Sequence, residues 1–266
     1  MWGGEQNVPP QYGTVHFSIK PIGAEAMSSA QQAAIVNLIA GKSVLNIDPK
    51  FENPTYQYFD ITCTVKYNAD STSLSKSQLE TAVASTIALF GTNNLTNFGS
   101  TFYKSNLMTA IDASNEAIIS SDVDIKIRKR FFPTLGALDS YRLNVTTTIK
   151  TPSSSTTPVV TSTGFTYTSN GVNYTAYIRN KSGSTTLELY RVSGTTEVII
   201  LPDVGSIDLA NNQLSIGPFN PTAFINSTKG IELIITPDDD ISISPLRNQL
   251  LSIDTDATAV NVVAIT

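Results

Sequence analysis

The stretch Gln11-Tyr-Gly-Thr-Val-His-Phe-Ser-Ile-Lys-Pro21 decides how the first part of the chain folds. Val15, Phe17 and Ile19 alternate with polar residues, and this period of two predicts a strand with one buried face. Pro21 lacks the backbone N–H that a strand ladder uses, so the strand is predicted to end there. A helix pattern follows directly, which indicates that the stretch opens a βα unit.

Three helices are predicted after this strand. The first covers residues 29–40 behind a capping-box pattern, and Gly41 is expected to end it in the left-handed conformation. The second begins after the cap Ser75, again with a capping box, and is expected to end at Gly91. A third helix is predicted over residues 100–114 from its apolar spacing.

Alternating residues predict further strands over about 57–66 and 122–128. Behind an extended segment, residues 1–12, the order β-α-β-α-α-β therefore describes an α+β domain over residues 13–135. An open sheet with helices on one face is the expected two-layer α/β sandwich. Its order resembles the split βαβ arrangement of ferredoxin-like folds.

Helical periodicity disappears after Pro133, and short β-branched stretches recur roughly every 8–15 residues. Asn170-Gly171 between two of them is a strong hairpin signal. Residues 136–266 are therefore predicted to form an all-β module such as a β-sandwich, which makes the whole chain α+β.

Composition narrows the classes of function. Charged residues make up 15% of the 266 residues, and the net charge is −5. An acidic chain of this kind argues against a general nucleic-acid binder. The sequence holds neither an apolar run of membrane-spanning length nor a signal-peptide pattern, so no membrane partner is expected.

Residues for common catalytic chemistry are scarce. His16 is the single histidine and stands on the polar side of the first strand, so we expect it at a surface or interface. Cys63 is the single cysteine and shares the parity of apolar neighbours, so a buried thiol is expected. The acidic run Asp238-Asp239-Asp240 is expected to be a solvated turn rather than a calcium site. No enzyme activity, catalytic residue, cofactor or metal is predicted.

Two polar stretches are candidate contacts with other subunits. The basic run that begins at Arg128 precedes Phe131, which suits a protein interface, although a plain strand end fits about as well. The run that begins at Arg247 offers several side-chain donors, which either tie down the last hairpin or face a partner. The candidate interface residues are Trp2, Arg128, Lys129, Arg130, Phe131, Arg247, Asn248 and Gln249.

A family resemblance rests on two motifs. They are Trp2-Gly3-Gly4-Glu5 with Asn7, Pro9-Pro10, Tyr12-Gly13 and the strand up to Pro21, and Pro245-Leu-Arg-Asn-Gln-Leu-Leu-Ser-Ile-Asp254 near the other end. Together they resemble the ring-forming baseplate wedge proteins of T4-type contractile-tailed phages, within the wider baseplate-J-like group. The resemblance implies a C-terminal portion of such a protein. The β-rich half is either a separate domain or an insertion, and as an insertion it would leave residues 245–266 to return to the first domain.

The same resemblance implies a function. It implies a structural virion protein that is made in the host cytoplasm and lies in the tail baseplate. Such a protein self-associates, with a dimer expected, and binds other wedge proteins to form the inner ring. Two alternatives stay open: a receptor- or carbohydrate-binding β module, suggested by Tyr167, Tyr174, Tyr177 and Tyr190, and a tail-associated glycosidase with two facing carboxylates.

Overall fold

The computed structural model describes residues 1–7, 9–42, 47–154 and 157–265. Its helices are α1 (Ser29–Ala40), α2 (Lys76–Asn94) and α3 (Lys104–Asp112). Its first strands are β1 (Trp2–Gly3), β2 (Thr14–Phe17), β3 (Asp48–Phe51), β4 (Thr55–Asn68), β5 (Phe102–Tyr103), β6 (Ile118–Phe131), β7 (Asp139–Asn144), β8 (Val160–Ser162) and β9 (Phe165–Ser169). The later strands are β10 (Val172–Asn180), β11 (Thr186–Ser193), β12 (Thr196–Asp208), β13 (Gln213–Phe219), β14 (Ala223–Phe224), β15 (Ile231–Ile235), β16 (Ser242–Ile243), β17 (Gln249–Ile253) and β18 (Ala259–Ile265).

The strands form one large sheet and two small ones. The 13-stranded sheet has the order β17-β4-β6-β15-β8-β10-β11-β12-β13-β7, with β18 also beside β4, β9 beside β10 and β14 beside β9. The small sheets are β1-β2-β3 and β16-β5. No helix in the described ranges is long and apolar enough to cross a membrane.

β2, which was predicted to open the βα unit, lies in a small sheet with β1 and β3, and this corrects the predicted topology. β2 pairs antiparallel with β1 and parallel with β3, and it does not join the sheet of β4 and β6. Both partners of β2 lie within the first 51 residues, so this pairing closes shorter loops than a pairing with β6 would. The ferredoxin-like arrangement is proposed for the unit formed by β4, α2, α3 and β6, without β2.

The core of that unit lies between the paired strands β4 and β6 and the two helices above them. Alternate residues of the strands point to the helices, as the period of two predicts. The completely or almost completely buried residues are Phe59, Ile61, Cys63 and Val65 of β4, Val123, Ile125 and Ile127 of β6, Leu79, Val83 and Ile87 of α2, and Leu107 and Ile111 of α3. The prediction of a buried Cys63 is therefore confirmed.

The starts of α1 and α2 and the end of α1 at Ala40 were predicted correctly, whereas the conformation of Gly41 and the end of α2 were wrong. Capping boxes are present at Ser28 and Ser75. Gly41 is right-handed, with φ −67°, so it is not the left-handed cap that was expected. α2 continues past Gly91 to Asn94. Gly91 instead allows α2 to lie close to β17, since a Cβ at this position would be 3.2 Å from the Cδ1 of Ile253.

The third helix is shorter than predicted. It spans Lys104–Asp112, because the two residues before it form β5 and pair with β16. Phe102 is nevertheless fully buried and its ring lies 5.1 Å from that of Phe59. A short strand thus replaces the predicted first helical turn and leaves the apolar side chain in the core.

The last two described strands pair with β4. β17 pairs parallel with residues 55–59 of β4, and β18 pairs parallel with residues 62–68 of the same strand. Between β6 and β17 runs the β-rich region. It joins the same sheet through β15, which pairs antiparallel with β6.

The β-rich region is mostly a series of antiparallel neighbours. The predicted hairpin at Asn170-Gly171 is present between β9 and β10, and both turn residues have positive φ. This turn type requires positive φ at both central positions, which explains the Asn-Gly pair. The β-sandwich assignment stays a prediction.

Candidate functional site

His16 lies at the centre of a small cluster built by the N-terminal motif. It is 4% exposed, which corrects the expectation of a surface histidine. Trp2 is its register partner on β1, and the two rings stack with centroids 5.6 Å apart. The Nδ1 atom lies 2.6 Å from Oε1 of Glu52, a partner that sequence proximity could not reveal.

The surroundings of His16 resemble a hydroxyl–histidine–carboxylate triad in composition only. The Oγ1 of Thr14 lies 3.2 Å from Nε2, but it donates its proton to the carbonyl of Gln11 at 2.7 Å. Nε2 in turn accepts from the side-chain amide of Asn7 at 2.9 Å. A nucleophile would have to give its proton to the imidazole. The cluster therefore fixes β1 and β2 in place, with Gly4 packed so closely on Thr14 and Gln11 that a Cβ would clash.

A second polar cluster, the charged junction, lies on the face of β4, β6 and β15 opposite the helices. We define it as Asp60, Arg128, Arg130, Lys229, Glu232, Asp254 and Asp256, joined by ion pairs. Arg128 is its centre and is 8% exposed. Its Nε and Nη2 each donate to one oxygen of Asp60 at 2.6 Å, and its Nη1 donates to Oε2 of Glu232 at 2.7 Å.

The junction extends toward the C-terminal return. Arg130 donates from Nε to Oε1 of Glu232 at 2.9 Å and from Nη2 to Oδ2 of Asp254 at 3.0 Å. The Nζ of Lys229 lies 2.9 Å from Oδ2 of Asp256 and 3.5 Å from Oδ2 of Asp254. Carboxylates and cations thus alternate along the cluster, and for its buried members this offsets the cost of removal from water.

An aromatic contact connects the junction to the N-terminal residues. The guanidinium of Arg130 lies 3.7 Å from the ring centroid of Tyr58, and the Tyr58 hydroxyl donates to Oε1 of Glu25 at 2.7 Å. Burial, followed by the hydrogen bond to Glu25, raises the pKa of Tyr58 well above its ordinary value. The hydroxyl therefore stays a donor.

The charge balance stabilises the ionised forms. Burial alone would lower the pKa of Arg128, but the hydrogen bond and charge of Asp60 and those of Glu232 outweigh it and raise that pKa. The same holds for Arg130, whose pKa rises mainly through Glu232. The arrangement can therefore hold segments together through directional bonds, and it offers no free acid or base.

Most of the basic run predicted as a contact is occupied within the chain. Arg128 and Arg130 belong to the charged junction, and Phe131 is 5% exposed. Burial lowers the pKa of Lys129. The next residue, Phe132, is the exposed one of these two phenylalanines, with 57% of its surface accessible. The contact role of the run stays a prediction.

The second predicted contact stretch touches the N-terminal part of the same chain. The Nη1 of Arg247 donates to the carbonyl of Gln6 at 3.0 Å, and the side-chain amide of Asn248 reaches the carbonyl of Asn53 at 3.5 Å. Gln249 is 1% exposed and its Oε1 accepts from the backbone three residues earlier. Trp2 covers His16, as described above.

The tyrosines that suggested carbohydrate binding are engaged by other side chains. Tyr167 is buried and stacks on a phenylalanine. Arginine guanidinium groups cover two others: Arg191 lies 4.4 Å from the ring centroid of Tyr174, and Arg179 lies 4.2 Å from that of Tyr190. A sugar-binding platform needs open ring faces, so these contacts disfavour that alternative.

The acidic run is a turn with partners. Asp240 pairs with Lys104 at 2.7 Å, and Asp239 accepts from the backbone N–H of Ile241. Across the described ranges, no group of three or more His, Cys, Asp or Glu side chains is arranged to hold a metal ion.

Sequence reasoning missed the acidic half of the charged junction. Asp60 stands between the apolar residues Phe59 and Ile61, and this alternation marks it as lying on the opposite face of β4. Glu232, between Ile231 and Leu233, carries the same local signal, and Asp254 directly follows Ile253 at the end of β17. That the three meet around Arg128 depends on strand order, which no local pattern contains.

Comparison with known families gives two matches. Residues 1–52 match the family described as Baseplate structural protein gp6, C-terminal domain I, and residues 55–130 match Baseplate structural protein gp6, C-terminal domain III. The boundary between the matches falls between β3 and β4, where the small first sheet ends and the large sheet begins. No match was found among the curated proteins. The two matches make the chain similar to baseplate structural proteins over both segments, and they indicate a structural protein of a phage tail baseplate.

Proposed function

We propose that this chain is the C-terminal portion of a baseplate wedge subunit that self-associates, binds other wedge proteins and forms the inner ring of a contractile phage tail. The two family matches support the baseplate setting. The ring-forming role and the baseplate-J-like grouping rest on the sequence resemblance. Synthesis takes place in the host cytoplasm, and neither nucleic acid nor membrane is a partner.

The observation that carries the proposal is the way the charged junction connects distant segments. Asp60 and Arg128 lie in the segment like domain III, Glu232 in the β-rich region and Asp254 after β17. Tyr58, which contacts Arg130, connects the junction to Glu25 in the segment like domain I. A subunit that transmits force between neighbours needs its parts fixed relative to one another. Directional bonds between buried groups do this more specifically than apolar packing does.

The mechanism is mechanical. Interfaces with neighbouring subunits hold the baseplate around the tail tube and rearrange when the sheath contracts, while the junction keeps each subunit in one piece. Rings form from heterologous contacts or from alternating two-fold contacts. At least one interface is expected to bury more than roughly 1,000 Å², the usual threshold for a specific contact.

The test is the mass of the purified chain in solution, measured by light scattering across a concentration series. A dimer or larger assembly that grows with concentration supports the proposal. A clean monomer at the highest concentration counts against self-association by this chain, and the ring contacts would then have to come from other subunits.

A further inference from the structure

Residues 1–52, which we call the N-terminal lobe, form a unit with its own small sheet. In the described ranges β1, β2 and β3 pair with one another and with no strand of the large sheet, and α1 packs on β3. The apolar core of the large sheet begins at Phe59 and takes in no described residue of the lobe. Two parts with separate sheets and separate cores can change their relative position without loss of either core.

Two residues, Asn53 and Pro54, connect the lobe to β4. Glu52 is still fixed to the small sheet, because its backbone N–H donates to the carbonyl of the last residue of β2 at 2.9 Å. Thr55 is already fixed to the large sheet, because its N–H donates to the carbonyl of Asn248, directly before β17, at 2.9 Å. Hinges in proteins are a few residues of this kind at the ends of structural elements, where the backbone absorbs a change of direction.

Glu25 holds the lobe against β4 at a distance from this linker. The hydroxyl of Tyr56 donates to the backbone carbonyl of Glu25 at 2.9 Å, and that of Tyr58 donates to its Oε1 at 2.7 Å. We call these two bonds the Glu25 latch. Glu25 is exposed, whereas Glu232 and Asp254 of the charged junction are buried. Water can take over the bonds of an exposed acceptor at small net cost, so the latch can open while the junction stays closed.

Two further hydrogen bonds join described residues of the lobe to the rest of the chain. The Nζ of Lys20 donates to the carbonyl of Thr96, behind α2, at 3.2 Å. The Nη1 of Arg247 donates to the carbonyl of Gln6 at 3.0 Å, and both of these residues are exposed. Each bond joins the end of a long, flexible side chain to a single backbone oxygen. Such bonds allow more than one orientation of the lobe, unlike the bidentate ion pair of the junction.

A cavity of about 220 Å³ lies where the lobe meets α2 and β17. Its lining includes Lys20 of the lobe, Tyr56 of β4, Leu95 behind α2, and Leu251 and Ile253 of β17. Protein interiors contain few voids larger than a water molecule. The lobe is therefore not closely packed on the large unit at this place, and the cavity leaves room for a rotation.

We propose that the N-terminal lobe is a hinged part of the subunit, which turns about Asn53-Pro54 when the Glu25 latch opens. The charged junction keeps β4, β6, β15 and β17 together in both positions. In the proposed function, the hinge changes the direction of a contact between the lobe and a neighbouring subunit when the sheath contracts. The inference goes beyond that function, because the hinge belongs to the single chain and needs no second subunit.

Removal of two hydroxyl groups tests the latch and keeps the aromatic rings in place. The double variant Tyr56→Phe, Tyr58→Phe loses both bonds to Glu25. Glu25→Ala is a second route to the open latch, since it removes the carboxylate at an exposed position. The double variant Tyr12→Phe, Tyr103→Phe is the matched control, because these tyrosines are 81% and 48% exposed.

The measurement is the distance between spin labels on the two parts, obtained by pulsed electron paramagnetic resonance. The labels are attached at Leu38→Cys on α1 and Leu89→Cys on α2, which are 60% and 59% exposed. Every protein compared also carries Cys63→Ala, so that the labels bind at these two positions alone. Far-ultraviolet circular dichroism verifies that each variant is folded.

We expect one narrow distribution of distances in the parent chain and in the control. Loss of the two hydrogen bonds of the latch should give a second distance population, larger than in the parent by about fivefold or more. Glu25→Ala should shift the distribution in the same direction. The hinge is overturned if the latch variants keep the single distribution of the parent. The latch is overturned if the parent already shows as much of the second population as they do. Both results leave self-association, which light scattering measures, undecided by this experiment and therefore separate from it.

Discussion

The two faces of the β4–β6–β15 sheet are held by opposite kinds of chemistry. The face under α2 and α3 is apolar, with residues such as Ile61 and Ile127 completely buried. The other face carries the charged junction around Arg128. Apolar contacts depend on volume and tolerate small changes of shape, whereas bidentate ion pairs depend on direction and on every partner. The comparison teaches that the helical face supplies much of the burial, while the charged face specifies which segments meet.

Removal of Arg128 is expected to give the largest effect. Arg128→Ala leaves Asp60 and Glu232 buried without their main cation, and loss of one partner from a buried pair costs about 3–5 kcal/mol. Urea unfolding measures this as a lower free energy of unfolding. Arg142→Ala is the control, because Arg142 is exposed on β7 and a surface change should stay within about 0.5 kcal/mol. A loss for Arg128→Ala as small as that of the control would refute the directional account of the charged face.

Gln57 breaks the pattern of the apolar face. It is 0% exposed, and neither its Nε2 nor its Oε1 has a hydrogen-bond partner in the described ranges. An unsatisfied buried polar group costs about 1–3 kcal/mol, so Gln57→Leu is expected to stabilise the protein by an amount in that range. Gln249→Leu is the matched control of opposite sign, because Gln249 is equally buried but accepts a hydrogen bond. A stability loss for Gln57→Leu, measured by the same urea series, would indicate that Gln57 has a polar partner after all.

A conservative change on the apolar face is expected to cost little. Ile61→Val removes one methyl group from a fully buried position, which costs about 0.5–1.5 kcal/mol. Arg128→Lys is equally conservative in charge but loses the planar fork that binds Asp60, so it should cost more than Ile61→Val. Thermal unfolding of the two variants side by side checks the order. A larger loss of stability for Ile61→Val than for Arg128→Lys would contradict the difference proposed between the two faces.

The thiol of Cys63 is a probe of the apolar face that requires no substitution. Burial, then the charges of Asp112 and Asp122, raises its pKa to about 11. Because the folded pKa is above the ordinary value of 9.0, the stability that this group contributes is complete below pH 9.0 and is lost as the pH rises through about 11. At neutral pH the thiol stays protonated and should react with a disulfide reagent only as fast as the protein opens. A rapid reaction in the native state would contradict this burial.

Sequence patterns located the local elements better than their assembly. Some features depend only on neighbouring residues and could be predicted from the sequence. These are the capping boxes at Ser28 and Ser75 and the alternation in β4 and β6. The separate sheet of β2 and the burial of His16 under Trp2 depend on residues that come together only in the fold. The charged junction is the clearest case, since Asp60 and Asp254 lie almost two hundred residues apart in a chain of 266 residues.

Native-state hydrogen exchange, followed by mass spectrometry in the parent chain and in Arg128→Ala, tests most directly whether the charged junction joins distant segments. If it does, loss of Arg128 should raise hydrogen exchange in β4, β6, β15 and β17 together. β4, β6 and β15 each carry a residue of the junction, and Asp254 directly follows β17. Increased exchange confined to β6, with the other three strands unchanged, would contradict the claim that this face holds the subunit in one piece.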